Sequence, residues 1–268
     1  MKKIVFTISM GLLALSCGAQ QKQGRVVYER TVQLQMRMMG MGGMSGDAEH
    51  VIPRMRKDKL EVLFAGDKSL RRTVEDEMPD ENPGEGGMQI RTMIAGANDV
   101  SFMNFATGQV TEQREFAGKE YIIADSIRKM SWKLTGETIS ILNYPCQKAV
   151  AQRIGKRTMM SMDNGQMKRE EVADTSNITA WFTPSIPVPA GPEYQGQLPG
   201  LILGIDINNG RTIYKAIEVS DKTDLAAIKE PTKGKKLSAD AFAKERDKMM
   251  EEMQRNNGGR GQTIRISN

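Results

Sequence analysis

Aromatic residues make up only 5% of this 268-residue chain, and histidine occurs once, at His50. A lone histidine excludes the paired-histidine zinc motif, which needs two imidazoles on one helical face. Aromatics do not interleave with the 38 basic residues, and the formal charge of +5 is dispersed rather than gathered in one tract. The pattern lacks the footprint of a nucleic-acid binder, which pairs a basic patch with stacking platforms. Cysteine occurs twice, as Cys17 and Cys146. Cys17 falls in the N-terminal leader, so Cys146 stands alone and no intramolecular disulfide is expected. No histidine lies near Cys146 in sequence to lower its pKa, so it reads as a small buried apolar residue rather than a reactive thiol. A Gly-Lys-Ser/Thr phosphate loop and a G-x-S-x-G nucleophile elbow are both missing. Ser126 and Lys129 satisfy S-x-x-K, but without companion motifs that short pattern arises by chance. No pair of carboxylates stands out as an acid and its base, so the expectation is a protein without a catalytic constellation.

Long apolar runs are also missing. The longest, residues 4–15, is shorter than the roughly 20 residues a spanning helix needs. It follows Lys2 and Lys3 and precedes the small residues Ser16, Cys17, Gly18 and Ala19, which is the layout of a secretion signal. Residues 1–19 therefore read as a signal peptide, and the mature protein as exported to the periplasm, the outer membrane or the cell surface. Two maturation routes stay open. Cleavage after Ala19 frees a soluble chain, whereas lipidation of Cys17, within Ala14-Leu15-Ser16-Cys17, tethers it to a membrane. Firm attachment takes more than one acyl chain.

What is present is β pattern. From residue 25 to residue 219 short apolar runs are punctuated by Gly, Asn and Asp: Gly66-Asp67, Thr107-Gly108, Ala117-Gly118, Gly136-Glu137, Asp163-Asn164-Gly165 and Asn208-Asn209-Gly210. Strands at this spacing make a meandering antiparallel sheet. Runs are expected at 25–38, 59–64, 69–74, 89–94, 100–106, 109–116, 120–124, 131–135, 138–142, 146–153, 157–162 and 166–172. The clearest hairpin sets Leu201, Leu203, Ile205 and Ile207 on one face. It turns at Asn208-Asn209-Gly210, where positive φ is accepted, and returns through Ile213, Ile217 and Val219. Its period of two predicts one buried and one wetter face.

Residues 20–230 thus form a mainly β domain, a curved antiparallel sheet or, by analogy with periplasmic carriers, a half-open barrel. Residues 231–268 add a C-terminal amphipathic helix and a flexible tail. The helix is expected from Ser238, a good N-cap, to about Asn256 before Gly258-Gly259. Leu237 and Phe242 are placed to form a hydrophobic staple. Phe242, Met249 and Met253 share one face.

Methionine is abundant, with 20 in the chain. Met36, Met38, Met39, Met41 and Met44 fall within nine residues, followed by His50 and Met55; Met159, Met160, Met162 and Met167 form a second group. Thioethers on a Gly-rich loop are soft ligands suited to Cu(I), which offers a copper-handling alternative. The plainer account is that methionine is an adaptable filler of cores and sticky surfaces, and no cofactor is required.

The stretch 181–205 reads WFTPSIPVPAGPEYQGQLPGLILGI. Pro184, Pro187, Pro189 and Pro192 fix φ and remove donors, so it runs extended and cannot be a central strand. Pro199-Gly200 is a turn signal that launches Leu201 and Ile202. It reads either as a crossing loop that sets the register of the late hairpin or as a rigid recognition ledge. Trp181, Pro184, Pro187, Gly191, Pro192, Leu198, Pro199, Gly200, Leu201 and Ile202 together resemble the signature of the GLPGLI family, exported proteins of Bacteroidetes-type bacteria, with Gln197 where the hexapeptide opens on Gly. Tyr144-Pro145-Cys146-Gln147 is similar to the family's Cys-containing strand. The resemblance implies export and a β-sheet envelope protein without settled biochemical role. An envelope protein or a small apolar ligand is the expected partner.

Overall fold

A computed structural model of the chain describes residues 21–36, 52–74, 99–163 and 166–256. The leader, the run 89–94, Met38, Met39, Met41, Met44, His50 and the tail 257–268 lie outside those residues.

Among the described residues twelve strands form one sheet: β1 (Gln23–Met36), β2 (Ile52–Ala65), β3 (Lys68–Val74), β4 (Val100–Asn104), β5 (Gln109–Phe116), β6 (Lys119–Ser126), β7 (Lys133–Ile141), β8 (Tyr144–Asp163), β9 (Gln166–Thr183), β10 (Leu201–Ile207), β11 (Thr212–Ser220) and β12 (Lys235–Ser238), followed by an α-helix, α1 (Ala239–Asn256). The spatial order is β12-β6-β5-β4-β3-β2-β1-β11-β10-β9-β8-β7. Most neighbours are consecutive hairpins, joined where residues accept positive φ: Gly66, Ala117-Gly118, Leu142-Asn143 and Asn208-Asn209-Gly210. The long-range step pairs β1 with β11. Among the described residues no helix is long and apolar enough to cross a membrane.

The sheet curves without closing. Laid flat, β6 and β7 would lie ten strand spacings apart, about 48 Å. The chain covers that separation from Ser126 to Lys133, seven residue steps that reach at most about 25 Å. The sheet must therefore curl, and its connection 127–132 lies across the gap. Ile127 N–H donates to the Gly108 carbonyl at 2.9 Å, and Trp132 meets Tyr194 edge-to-face at 5.7 Å.

The register sorts side chains onto two faces. Val26 and Tyr28 of β1, Leu60, Val62 and Phe64 of β2, and Tyr214 and Ala216 of β11 are opposed on the inner face and belong to the main core. Leu63, Leu70 and Phe102 form a second cluster on the outer face, packed under Ala227 and Ile228. Tyr121, Ile123 and Phe242 form a third, which docks α1 on β6.

Four expectations are corrected. The sheet is mixed, because β12 runs parallel to β6; its Lys-rich sequence gives no period-two signal. The expected runs 131–135 and 138–142 are one strand, β7, rather than a hairpin, with Gly136-Glu137 inside an irregularity between Leu134 and Thr138. The runs 146–153 and 157–162 are parts of the continuous strand β8. In the late hairpin Leu201, Ile202, Leu203 and Ile205 are all buried, while Ile213 and Ile217 are 37% and 41% exposed. Two irregularities break the period: one between Ile202 and Gly204, and an extra β11 residue opposite Val27 and Tyr28. These bring Tyr214, Ala216 and Val219 to the core side.

The helix starts as its sequence indicates. Ser238 Oγ accepts the Ala241 N–H at 3.2 Å, Leu237 packs with the Phe242 cluster, and Tyr121 lies 5.2 Å from Phe242, edge to face.

Candidate functional site

Residues 184–200 leave the end of β9 and fill the hollow of the curved sheet. Proline spacing explains how. Pro184 and Pro187 are exposed and Pro189 half-buried, while Ile186, Val188 and Ala190 between them are buried. An extended segment with proline at alternate positions turns its other positions one way, here into the core. Lacking proline donors, the segment is held by others. Leu201 N–H donates to the Ile186 carbonyl at 3.0 Å and Ile202 N–H to that of Ala190 at 2.9 Å. Tyr28 OH donates to the Ile202 carbonyl at 2.6 Å.

Two glycines permit the close approach. A Cβ on Gly200 would lie 2.2 Å from the Thr183 carbonyl oxygen, and one on Gly191 would lie 2.8 Å from Ile202 Cβ. The obstacle at Gly200 is backbone and cannot rotate away. Leu198, Leu201 and Ile202 are buried in the main core, and Pro192 is buried beside it; Pro199 is exposed. Trp181 is half-buried, with Lys148 Nζ 5.7 Å above its ring. The signature residues are therefore brought together in and around the core.

Polar contacts fasten the segment to the inner face. Ser69 Oγ donates to Gln195 Oε1 at 2.6 Å, both residues buried. Arg71 Nη1 donates to the Pro192 carbonyl at 2.7 Å and pairs with the Glu193 carboxylate. Tyr214 OH donates to Glu193 Oε1 at 3.3 Å. The Glu193 charge holds Arg71 above its usual range, against the effect of burial. Burial first, then the Glu193 charge, pushes the Tyr214 phenol up. Beside them Arg30 forks onto both Asp58 oxygens at 2.7 and 2.8 Å; burial disfavours its charge, but the Asp58 bonds prevail and its pKa is raised. Protons are hard to move here, and the array serves as an anchor. Sequence reasoning missed Arg71, Glu193, Gln195 and Tyr214, because their partners are distant in the chain.

Gln197, the departure from the family hexapeptide, has a structural use. Its Oε1 accepts Met130 N–H at 3.1 Å and Trp132 Nε1–H at 3.0 Å, which ties the plugging segment to the connection across the gap. Lys129, Met130, Gly196 and Gln197 border a shallow hollow of about 200 Å³ there. Ser126 closes β6 with its N–H donating to Asp125 Oδ1 at 2.8 Å. Cys146 is fully buried, and burial raises its thiol pKa.

The other prominent feature is a ribbon. From Arg153 paired with Ser176 to Asp163 paired with Gln166, β8 and β9 pair only with each other among the described residues. Those pairs extend about 34 Å at strand rise. Ile154 is 79% exposed at the root, while β7 and its turn, which lie against β8 between Tyr144 and Val150, expose Leu134, Ile139 and Leu142 further back along the sheet edge. Met160, Met162 and Met167 fall on this ribbon, whereas of the first methionine group only Met36, at the end of β1, is within the described residues.

Against known proteins, a family described as "Protein of unknown function (Porph_ging)" matches residues 132–204, from the start of β7 through the ribbon and the plugging segment into β10. No curated protein matches. Among solved structures, PNGF-II in its P21 crystal form superposes with a TM-score of 0.50 at 16% identity, over 83% of this chain and 32% of that one. Its C2 form gives 0.46 at 18% identity, over 82% and 32%. The chain spans about a third of the length of those proteins, and at such identity the likeness concerns the fold. The stretch that holds both the plug and the ribbon is thus the part of this chain that is similar to a family of proteins of unknown function.

Proposed function

We propose that this chain is an exported cell-envelope protein that acts as a non-enzymatic interaction module, with the β8–β9 ribbon as its docking arm. The observation that carries the reading is the ribbon itself. A two-stranded ribbon without a third strand is marginal in water, so its ordering is completed by something it binds. Ile154 adds an exposed apolar side chain at its root, and Leu134, Ile139 and Leu142 lie exposed further back along the same sheet edge.

A protein partner is favoured over a small apolar ligand. The hollow that would hold such a ligand is already filled by Ile186, Val188, Ala190 and Leu198. Residues 1–19 support export, with Cys17 as the attachment point if it is acylated. The resemblance of Gln197 to Ile202 and the preceding proline block to the GLPGLI signature points the same way.

The test is in situ photo-cross-linking. A photoreactive residue is placed at Ile154 or Ile139, and at exposed Lys222 as control, in the cell that exports the protein. The expected result is one discrete adduct, shared by the first two positions and missing from the third. Equal labelling from all three, or none from Ile154 and Ile139, rejects the docking arm.

A further inference from the structure

The free edge of β7 carries backbone groups that no described residue takes up, and the hairpin turn decides which they are. Leu142 and Asn143 have φ of 50° and 66°, and Ile141 pairs with Tyr144 across them. This is a two-residue loop with positive φ at both central positions. The residues flanking such a loop exchange both backbone bonds, and the pairs beyond alternate between bonded and non-bonded. Ile139, opposite Cys146, is therefore bonded to β8, whereas Ser140 opposite Pro145 and Thr138 opposite Gln147 are not. Proline at 145 agrees with this, because it has no N–H to give. The N–H and C=O groups of Thr138 and Ser140 thus point away from β8, about 6.8 Å apart along the strand. β7 ends the strand order. No backbone bond reaches either residue from elsewhere among the described residues, and residues 138–140 are exposed.

The two edges of the sheet differ. β6 is covered by β12, which pairs with residues 121–124, and by α1. β7 has no such cover among the described residues. An open edge is a template for pairing unless charge, proline or irregularity guards it. The irregularity of β7 ends at Thr138, and Thr138, Ile139, Ser140 and Ile141 include neither charge nor proline. They offer a regular ladder as long as the one that β12 uses on β6.

We infer, building on the docking of a protein partner proposed above, that residues 138–141 are a strand-addition site that takes an extended segment of that partner. Only another backbone matches N–H and C=O groups repeated at every second residue. The incoming segment lacks proline where it faces Thr138 and Ser140. It sets an apolar side chain against Ile139, which is 41% exposed, because cross-strand neighbours on one face pack together. A second copy of this chain fits less well. Two β7 strands related by a two-fold axis at Ile139 run antiparallel, so their arms extend in opposite directions and Ile154 is left without the partner. The irregularity at Gly136-Glu137 of each copy would also meet the turn of the other.

The experiment places the photoreactive residue at Ile154 in the exporting cell and combines it with Ser140→Pro or Thr138→Pro. Proline removes one outward N–H and leaves the bonds to β8 in place, as edge strands allow. Each proline variant should lower the adduct yield at least tenfold. Ser140→Ala and Thr138→Ala, which keep the N–H, should leave it unchanged. Slow hydrogen exchange in β8 checks that the hairpin stays paired. A second measurement needs no variant: in the purified parent adduct, the amide protons of Thr138 and Ser140 should exchange at least tenfold more slowly than in the free chain. An undiminished adduct from both proline variants, or unprotected amides at 138 and 140, overturns strand addition and leaves the docking arm standing. No adduct from the parent overturns both. An adduct with the mass of two copies, or a cross-link within one chain, overturns the assignment to a different protein.

Discussion

Asp99 shows how one side chain can work against the fold. It precedes β4, half-buried, with Oδ1 lacking a hydrogen-bond partner among the described residues. Burial raises its carboxyl pKa, and Arg114, 3.9 Å away, offsets this only in part. A folded-state pKa above the unfolded one means that folding takes up protons at this group. The carboxylate therefore costs stability at neutral pH, and the cost fades as pH falls through the raised pKa. Asp99→Asn keeps the shape and removes the charge. Its urea midpoint should exceed the parent's at pH 7, and the two should converge as the pH is lowered into the carboxylate range. A lower midpoint at pH 7 would mean that the Arg114 pair outweighs burial. At this scale the sequence is legible only where local geometry speaks. Gly200 after Pro199 reads as a turn, and it is one, but the Thr183 carbonyl that excludes a Cβ there is seventeen positions back. Gln197 looked like a lapse from a glycine motif because Met130 and Trp132, the groups it binds, sit in another connection.

Elements were more legible than their arrangement. Hairpins closed by Ala117-Gly118 and Asn208-Asn209-Gly210 follow from residues that accept positive φ, and α1 follows from Ser238 and the Leu237–Phe242 staple. Three things escaped. β12 is four residues long and earns its place by backbone pairing to β6, which leaves no side-chain period. β7 is exposed at nearly every position, so no alternation distinguishes a bulged edge strand from a hairpin; such irregularity also discourages edge-to-edge association. β8 was split at Gly155, which a ribbon tolerates because its Cβ position is nearly open. Attachment of α1 rests on few contacts. Phe242 is 6% exposed, against Tyr121 and Ile123, and Arg114 lies 5.9 Å over its ring. Truncating a buried phenylalanine costs about 3–5 kcal/mol; at this edge site Phe242→Ala should cost about 3 kcal/mol or release the helix alone. Hydrogen exchange separates these outcomes: fast exchange confined to residues 235–256, with β1, β2 and β11 unchanged, marks local release.

The whole molecule combines a filled, curved sheet with a two-stranded arm that, among the described residues, pairs only with itself. The sheet binds its own chain in the hollow, so its stability draws on the long-range pairings of β1 with β2 and β11 and on the residues around Ile202. The ribbon beyond Arg153 and Ser176 draws on its own two strands. A body of about 250 residues, if compact, has a radius of gyration near 18 Å. An arm extending about 34 Å raises the largest dimension much more than the mass. Replacing residues 155–174 by a two-residue Asn-Gly turn should shorten the maximum dimension in small-angle X-ray scattering by roughly 25–30 Å, the rise of the nine removed pairs less the new turn. The thermal midpoint should stay within about 2 °C, because a change under 0.5 kcal/mol moves a domain of this size by no more than that. A large fall in the midpoint would show instead that the ribbon folds back and packs on the body. The same deletion would then remove part of the core, and the apolar surface at Ile154 would be an intramolecular contact rather than a place for a partner.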